Sequence, residues 1–329
     1  MCLPDNIDVF HIKSKQDFET KALKIFKFQA IHNAVYNKFI KLLNINPKTI
    51  DNIYKIPFLP ISFFKDYRIV SEREPYDALF QSSGTTGINR SKHFVKNIKI
   101  YEQSFFNGFE YFYGKTEDYV ILALLPSYLE QQASSLVYMV QELIKKSNRQ
   151  ESNFYLYEHQ KLADTLHDLD QSGNKILLIG VSYALLDLIE KYKFKLNNVI
   201  VMETGGMKGR RKEILREELH QKLKKGFGVQ HIHSEYGMTE LLSQSYSKGN
   251  GIFESVPWKK ILVRDPEDPM SYLPKGKTGG INIIDLANIY SCSFIATQDL
   301  GKIYSDNSFE ILGRFDHSDI RGCNLLVVN

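Results

Sequence analysis

The chain has 329 residues, of which 43% are hydrophobic and 24% charged, with a formal net charge of +4. Such a length and composition bury one large core, or one large and one small, and fall outside the disordered and low-complexity classes. The modest, dispersed charge argues against a nucleic-acid-binding protein, and Cys2, Cys292 and Cys323, with no C-x-x-C spacing, exclude a disulfide framework and a cysteine-built zinc site.

No apolar run reaches about 18 residues, so no membrane span is expected. Met1 to Phe10 lack a signal-peptide pattern, which points to the cytoplasm. Residues 14–48 read as an amphipathic helical hairpin, because Phe18, Leu23, Phe26, Ile31, Val35, Phe39 and Leu42 recur at helical spacing. Pro57 and Pro60 then force an extended path. The apolar segment Ala78-Leu79-Phe80 leads into Gln81-Ser82-Ser83-Gly84-Thr85-Thr86-Gly87, and residues 97–112 suit a helix with a Tyr/Phe-rich face.

An alternation follows. Strands are expected at 119–125, 175–180, 198–202 and 229–233, and helices at 131–146, 183–192 and 212–225. Continuous apolar strands alternating with amphipathic helices predict a parallel α/β sheet covered on both faces, whose ligands bind beyond the carboxyl ends of the strands. Gly180, Gly205 with Gly206, and Gly237 stand at those ends. From about residue 250 short strands replace helices, at 260–263, 280–285, 293–296, 309–312 and 325–328, which reads as a β-rich subdomain or small barrel.

The loop of Ser82, Ser83, Gly84, Thr85, Thr86 and Gly87 is suited to phosphate: its glycines let the backbone approach a ligand, and its hydroxyls and N–H groups can wrap a polyphosphate. A planar ring beside a glycine turn, Tyr236-Gly237, can stack on a base, and Thr239 and Glu240 next to it can meet phosphate and a hard cation. Asp299 in Ala296-Thr297-Gln298-Asp299-Leu300-Gly301 and Arg314 in Gly313-Arg314-Phe315-Asp316 supply a carboxylate and a forked donor. His231, His233 and Glu235 alternate along a strand; they either face a metal together or simply lead into the Tyr236 turn. The basic cluster from Lys208 to Lys212 reads as a helix's exposed first turn or a contact for an anion.

In joint order, these segments resemble the signature of the adenylate-forming (acyl-CoA synthetase-like) superfamily, and within it most resemble the LuxE-like acyl-protein synthetases. Ile56-Pro57-Phe58-Leu59-Pro60-Ile61-Ser62-Phe63-Phe64-Lys65 and Glu203-Thr204-Gly205-Gly206-Met207-Lys208-Gly209-Arg210-Arg211 add to the likeness. The resemblance implies an α/β large domain over residues 1–250, with an N-terminal helical segment, binding ATP and the acyl group, and a β-rich subdomain over 251–329. It implies ATP and Mg²⁺ as cofactors. Ser82, Ser83, Gly84, Thr85, Thr86 and Gly87 would hold the β- and γ-phosphates; Tyr236 would stack on adenine, Thr239 would face the α-phosphate and Glu240 would ligate the metal. Asp299 would bind ribose, Arg314 the ribose and phosphate region, and Gly205 and Gly206 would line the adenine and acyl site.

One departure matters. The chain ends at Asn329, soon after Asp316, so the small C-terminal domain of the superfamily, with its lysine, is expected to be absent; Lys208 and Lys92 are the candidates to replace that lysine. The resemblance implies instead that the acyl group passes to a cysteine near the C-terminus, for which Cys323 is placed, with Arg321 beside it to lower the thiol pKa. The expected substrate is a carboxylic acid, a fatty acid by its apolar surroundings, with Leu125-Pro126-Ser127-Tyr128-Leu129 and Ser134-Ser135 in the acyl pocket. Phe58, Phe63 and Phe64 line that pocket or pack the core. Expected partners are an acyl reductase or an acyl-carrier protein. Two alternatives stand beside this reading: a CoA ligase of the phenylacetate type, and a non-catalytic nucleotide-binding subunit of an acyl-reductase complex.

Overall fold

A computed structural model describes residues 7–71, 75–82, 90–126, 133–205, 211–212 and 214–315. The N-terminal hairpin forms as α1, Lys15–His32, and α2, Ala34–Leu42. One residue separates them: Asn33 is extended, its N–H closes α1 on the Gln29 carbonyl, and its side chain caps α2 at the Tyr36 N–H. The pair is fastened by buried amides. Gln29 Nε2 donates to the carbonyls of Asn288 and Ile289, and Asn33 Nδ2 donates to that of Ser291. Strand β1, Leu59–Pro60, pairs in parallel with a later strand at Leu59↔Ile295, and the short helix α3 spans Phe63–Asp66. Pro60 thus lies where an edge strand tolerates a missing N–H.

A two-stranded hairpin follows, β2 (Ala78–Gln81) and β3 (Lys92–Val95), and then α4, Ile98–Tyr113. The parallel alternation comes next: β4 (Tyr119–Leu124), α5 (Ser135–Ser147), β5 (Asn153–Phe154), α6 (His159–Gln171), β6 (Lys175–Val181), α7 (Ser182–Lys191), β7 (Val199–Thr204), α8 (Arg216–Phe227) and β8 (His233–Tyr236). Helix α6 was not anticipated; Leu162, Ala163, Leu166 and Leu169 give it one buried face. The fourth parallel strand lies later than expected. Gly228, at φ 74°, ends α8 in the left-handed region, and residues 229–232 cross over before His233 pairs with Met202.

The remaining strands are antiparallel: β9 (Ser245–Ser247), β10 (Ile252–Ser255), β11 (Lys259–Arg264), β12 (Gly279–Asp285), β13 (Phe294–Ile303) and β14 (Phe309–Arg314). Among the described residues they join the parallel strands in one 12-stranded sheet, ordered β11-β12-β13-β14-β10-β9-β8-β7-β6-β4-β5, with β1 beside β13. Strand β13 is longer than the segment 293–296 read from the sequence. Asp299 therefore lies within a strand. The register shifts between Leu300 and Gly301, and a Cβ on Gly301 would lie 2.2 Å from the Glu310 carbonyl oxygen, so only glycine fits this bulge.

Candidate active site

Three of the sequence motifs meet where β8, β13 and β14 come together. Tyr236 ends β8, and Asp299 stands directly opposite Arg314 in the β13–β14 register. The Tyr236 hydroxyl donates to Asp299 Oδ2 at 2.8 Å, and Arg314 Nε donates to Oδ1 at 3.2 Å. The carboxylate is buried while the arginine side chain is 80% exposed, so Asp299 is the fixed member and Arg314 the solvent-facing one. Thr297 sets the approach: its hydroxyl donates to the Ile281 carbonyl and accepts the Asp299 N–H. Burial, then the adjacent Asp299 charge, holds the Tyr236 phenol well above its ordinary pKa. Its ring packs on Phe253 and Phe309, with the Lys259 ammonium 5.3 Å from the ring centroid. The Tyr236–Asp299 hydrogen bond was not foreseen from the sequence, because the two lie 63 residues apart.

The turn after Tyr236 carries Thr239 and Glu240. A Cβ on Gly237 would lie 2.4 Å from Glu235 Oε1, so a side chain there would displace that carboxylate. Glu240 is only 6% exposed. Burial raises its carboxyl above the usual range, against a hydrogen bond from Ser91 and the charges of Arg314 and Lys65. Ser91 also ties the turn to the hydroxyl loop: the Ser82 N–H donates to the Ser91 carbonyl, and the Ser91 N–H to Ser82 Oγ. The start of the Ser/Thr loop and the Glu240 turn are therefore joined through one strand.

Beneath Tyr236 lies a buried polar layer that the sequence reading passed over or left open. Thr204 Oγ1 donates to Glu235 Oε2 at 2.6 Å, and burial pushes the Glu235 carboxyl up to about 7. Lys259 donates from Nζ to the Ser243 carbonyl, and burial pulls its ammonium down to about 8, with Asp285 and Glu235 opposing. Asp285 accepts the N–H groups of Leu242 and Ser243 and the Ser243 hydroxyl. The available signal was a lysine and an aspartate at the ends of apolar strands, where a charge is retained only with partners.

Gly205 ends β7 at φ 64°, and its carbonyl accepts a hydrogen bond from Ser182 Oγ. Of the alternating residues, His231 is exposed, His233 turns to the Tyr113 hydroxyl at 3.2 Å, and Glu235 turns to Thr204. Burial lowers His233 to about 4. Phe64 is fully buried, Phe58 packs on Phe294 and Tyr272, and Phe63 on Phe39. Cys292 is fully buried and burial pushes its thiol up to about 12, so it does not supply a thiolate at neutral pH. Lys92 is exposed at the start of β3. The expectations for Ser83, Gly84, Thr85, Thr86, Gly87, Ser127, Tyr128, Leu129, Gly206, Lys208, Arg321, Cys323 and the strand at 325–328 lie outside the described residues. Among the described residues no helix is long and apolar enough to cross a membrane.

No curated protein sequence matches the chain. In fold, the chain is similar to ATP-bound MatB from Rhodopseudomonas palustris, at 19% identity and TM-score 0.53, over 74% of this chain and 48% of that one. It is also similar to 2-hydroxyisobutyryl-CoA ligase in the postadenylation state with R3-HIB-AMP, at 11% identity and TM-score 0.66, over 96% and 74% of the two chains. It spans about half the length of MatB. The family described as acyl-protein synthetase, LuxE, matches residues 10–329. The chain belongs to the LuxE acyl-protein synthetase family and has the α/β fold of the adenylate-forming enzymes.

Proposed function

We propose that the protein activates a carboxylic acid with ATP and hands the acyl group to a thiol. In the first half-reaction a carboxylate oxygen attacks the α-phosphorus of ATP. The bond to the bridging oxygen breaks, and pyrophosphate leaves with the electron pair, giving an acyl-adenylate. In the second, a thiolate attacks the acyl carbon and AMP leaves. The observation that carries this reading is the convergence of Tyr236, Asp299 and Arg314 beside the Thr239–Glu240 turn, with Ser82 tied to that turn through Ser91. Family membership and the ATP- and acyl-AMP-bound neighbours support it.

The chain's own groups act by position and charge, which is the main source of catalysis in such a transfer. Asp299 offers a fixed carboxylate to ribose hydroxyls, displacing the Tyr236 hydroxyl or sharing with it. Arg314, exposed and hinged on Asp299, is free to swing its outer nitrogens to phosphate. Thr239 faces the α-phosphate, and the Ser82–Gly87 loop takes the outer phosphates. Glu240 suits a hard cation: its burial raises the carboxyl, so a divalent ion would restore missing positive charge. Mg²⁺ held there would neutralise charge on the departing phosphates. We assign the acid to the fatty class and the acceptor to Cys323, with an acyl reductase or carrier protein as onward recipient.

Mass spectrometry tests both halves. Incubation with Mg·ATP and a fatty acid should yield acyl-AMP and a hydroxylamine-labile acyl mass on the protein. Cys323→Ser should keep the acyl-AMP and lose the protein label. A label that persists removes Cys323 as acceptor, and acyl-CoA formed in its place moves the assignment to a CoA ligase.

A further inference from the structure

We infer that His93 is a positioning residue that locks the Thr239–Glu240 turn to β3, so that the two side chains assigned to the α-phosphate and the cation are held in place. The inference rests on the activity proposed above for that site. Ser91 and His93 are two residues apart on one extended stretch and both are buried, so they address the same side. Ser91 bonds the Glu240 side chain. His93 bonds the backbone beside it: Nδ1 lies 2.7 Å from the Thr239 carbonyl oxygen, and Nε2 lies 3.1 Å from Asn288 Oδ1. Burial keeps the ring neutral, so it has one proton for two acceptor oxygens, and the shorter contact takes it: Nδ1–H donates to Thr239, and Nε2 makes no hydrogen bond to Asn288 Oδ1. The Asn288 amide is itself oriented, because Nδ2 donates to the carbonyls of Glu240 and Cys292.

Consecutive carbonyls of the turn, those of Thr239 and Glu240, are thus each held by a buried side chain from a different element. The ring is fully buried and meets Phe64 edge-on. A histidine in a short strand would ordinarily be a satisfied core residue. This one differs in its partner, since it holds the backbone next to the two side chains assigned to the α-phosphate and the cation. Loss of the link should therefore spoil the alignment of a bound nucleotide more than its affinity.

Leucine and asparagine share a shape, but only asparagine keeps a donor near Nδ1. In His93→Leu, amide hydrogen exchange of residues 237–243 should rise about tenfold while β6 and β7 stay unchanged. The rate of ATP–pyrophosphate exchange should fall about 100-fold, with KM for ATP shifting by less than about threefold. His93→Asn should recover most of both. Unchanged exchange of 237–243 in His93→Leu, an equal rise in both variants, or a loss confined to KM would overturn the inference. Should His93→Leu not fold, Asn288→Ala removes the neighbouring link and must show the same local rise. A wild-type protein without pyrophosphate exchange would sink the proposed activity alone, because the hydrogen-exchange comparison still decides the role of His93.

Discussion

The parallel strands β4, β6 and β7 and the antiparallel strand β13 belong to one sheet but are built on opposite principles. Residues Val120 to Leu124 are each at most 2% exposed, and both faces of β4 are covered by helices or neighbouring chain. Strand β13 instead alternates from Ile295 onward, with Thr297, Asp299 and Gly301 buried and Gln298, Leu300 and Lys302 half-buried. The parallel half gains its stability from continuous apolar area and places few polar groups except at its carboxyl ends. The antiparallel half has an inner face on which a carboxylate can be fixed and aimed. Changes in the first should therefore act on folding, and changes at the junction on chemistry.

Perturbing the junction should give the largest effect. Glu240→Ala should reduce adenylate formation by about 10³-fold, the scale of losing a charge-stabilising group in a dry site, with an unchanged circular-dichroism spectrum. A variant that forms adenylate at the wild-type rate would take Glu240 out of the cation site. In the parallel half, Leu178→Ala removes a fully buried side chain from β6 and should cost about 2–5 kcal/mol in urea unfolding. Any adenylation by its folded fraction should be normal, and a selective loss of activity would blur the contrast. Asp299→Ala removes an acceptor from Tyr236 and Arg314 and should weaken ATP about 10–100-fold by calorimetry, with acid binding unaffected.

A smaller effect comes from pH. Glu235 has its folded pKa raised from 4.5 to about 7, so the native state binds a proton that the unfolded state releases near pH 4.5. Its stability contribution is present below that pH and is lost as pH rises to about 7. Lys259 is lowered from 10.5 to about 8, so the opposite holds above pH 8, where stability should recover towards 10.5. Thr204, Lys259 and Glu203 are the groups that bear on Glu235. Glu235→Gln should remove a slope of at most about 1.4 kcal/mol per pH unit between pH 5 and 7, read from unfolding curves. An unaltered slope would place the titration elsewhere in the layer. At the surface, breaking the Lys222–Glu218 pair should cost less than about 0.5 kcal/mol, since both side chains are about half exposed.

The same contrast explains what could be read from the chain alone. Strands β4, β6 and β7 announce themselves as unbroken apolar runs, and α1, α2 and α7 by their periodicity. Strand β8 was misplaced because its buried residues, Ser234 and Glu235, are polar and gain their burial from pairing with β7. Asp299 was recognisable as a motif, but not as a strand residue, since the bulge at Leu300–Gly301 looks like a turn until Glu310 is seen opposite. His93 and Asn288 were invisible as site residues. Their partners lie far away in sequence, as with His93 and Thr239, 146 residues apart, and no local pattern encodes such a contact.

The central claim is that these junction residues serve acyl-adenylate formation. It is tested most directly by ATP–pyrophosphate exchange with Mg²⁺ and carboxylic acids sorted by chain length, run on wild type and on Glu240→Ala and Asp299→Ala. Acid-dependent exchange by wild type, abolished in the first variant and recovered at high ATP in the second, is the predicted result. Silence with every acid, in a protein that binds ATP, would contradict it.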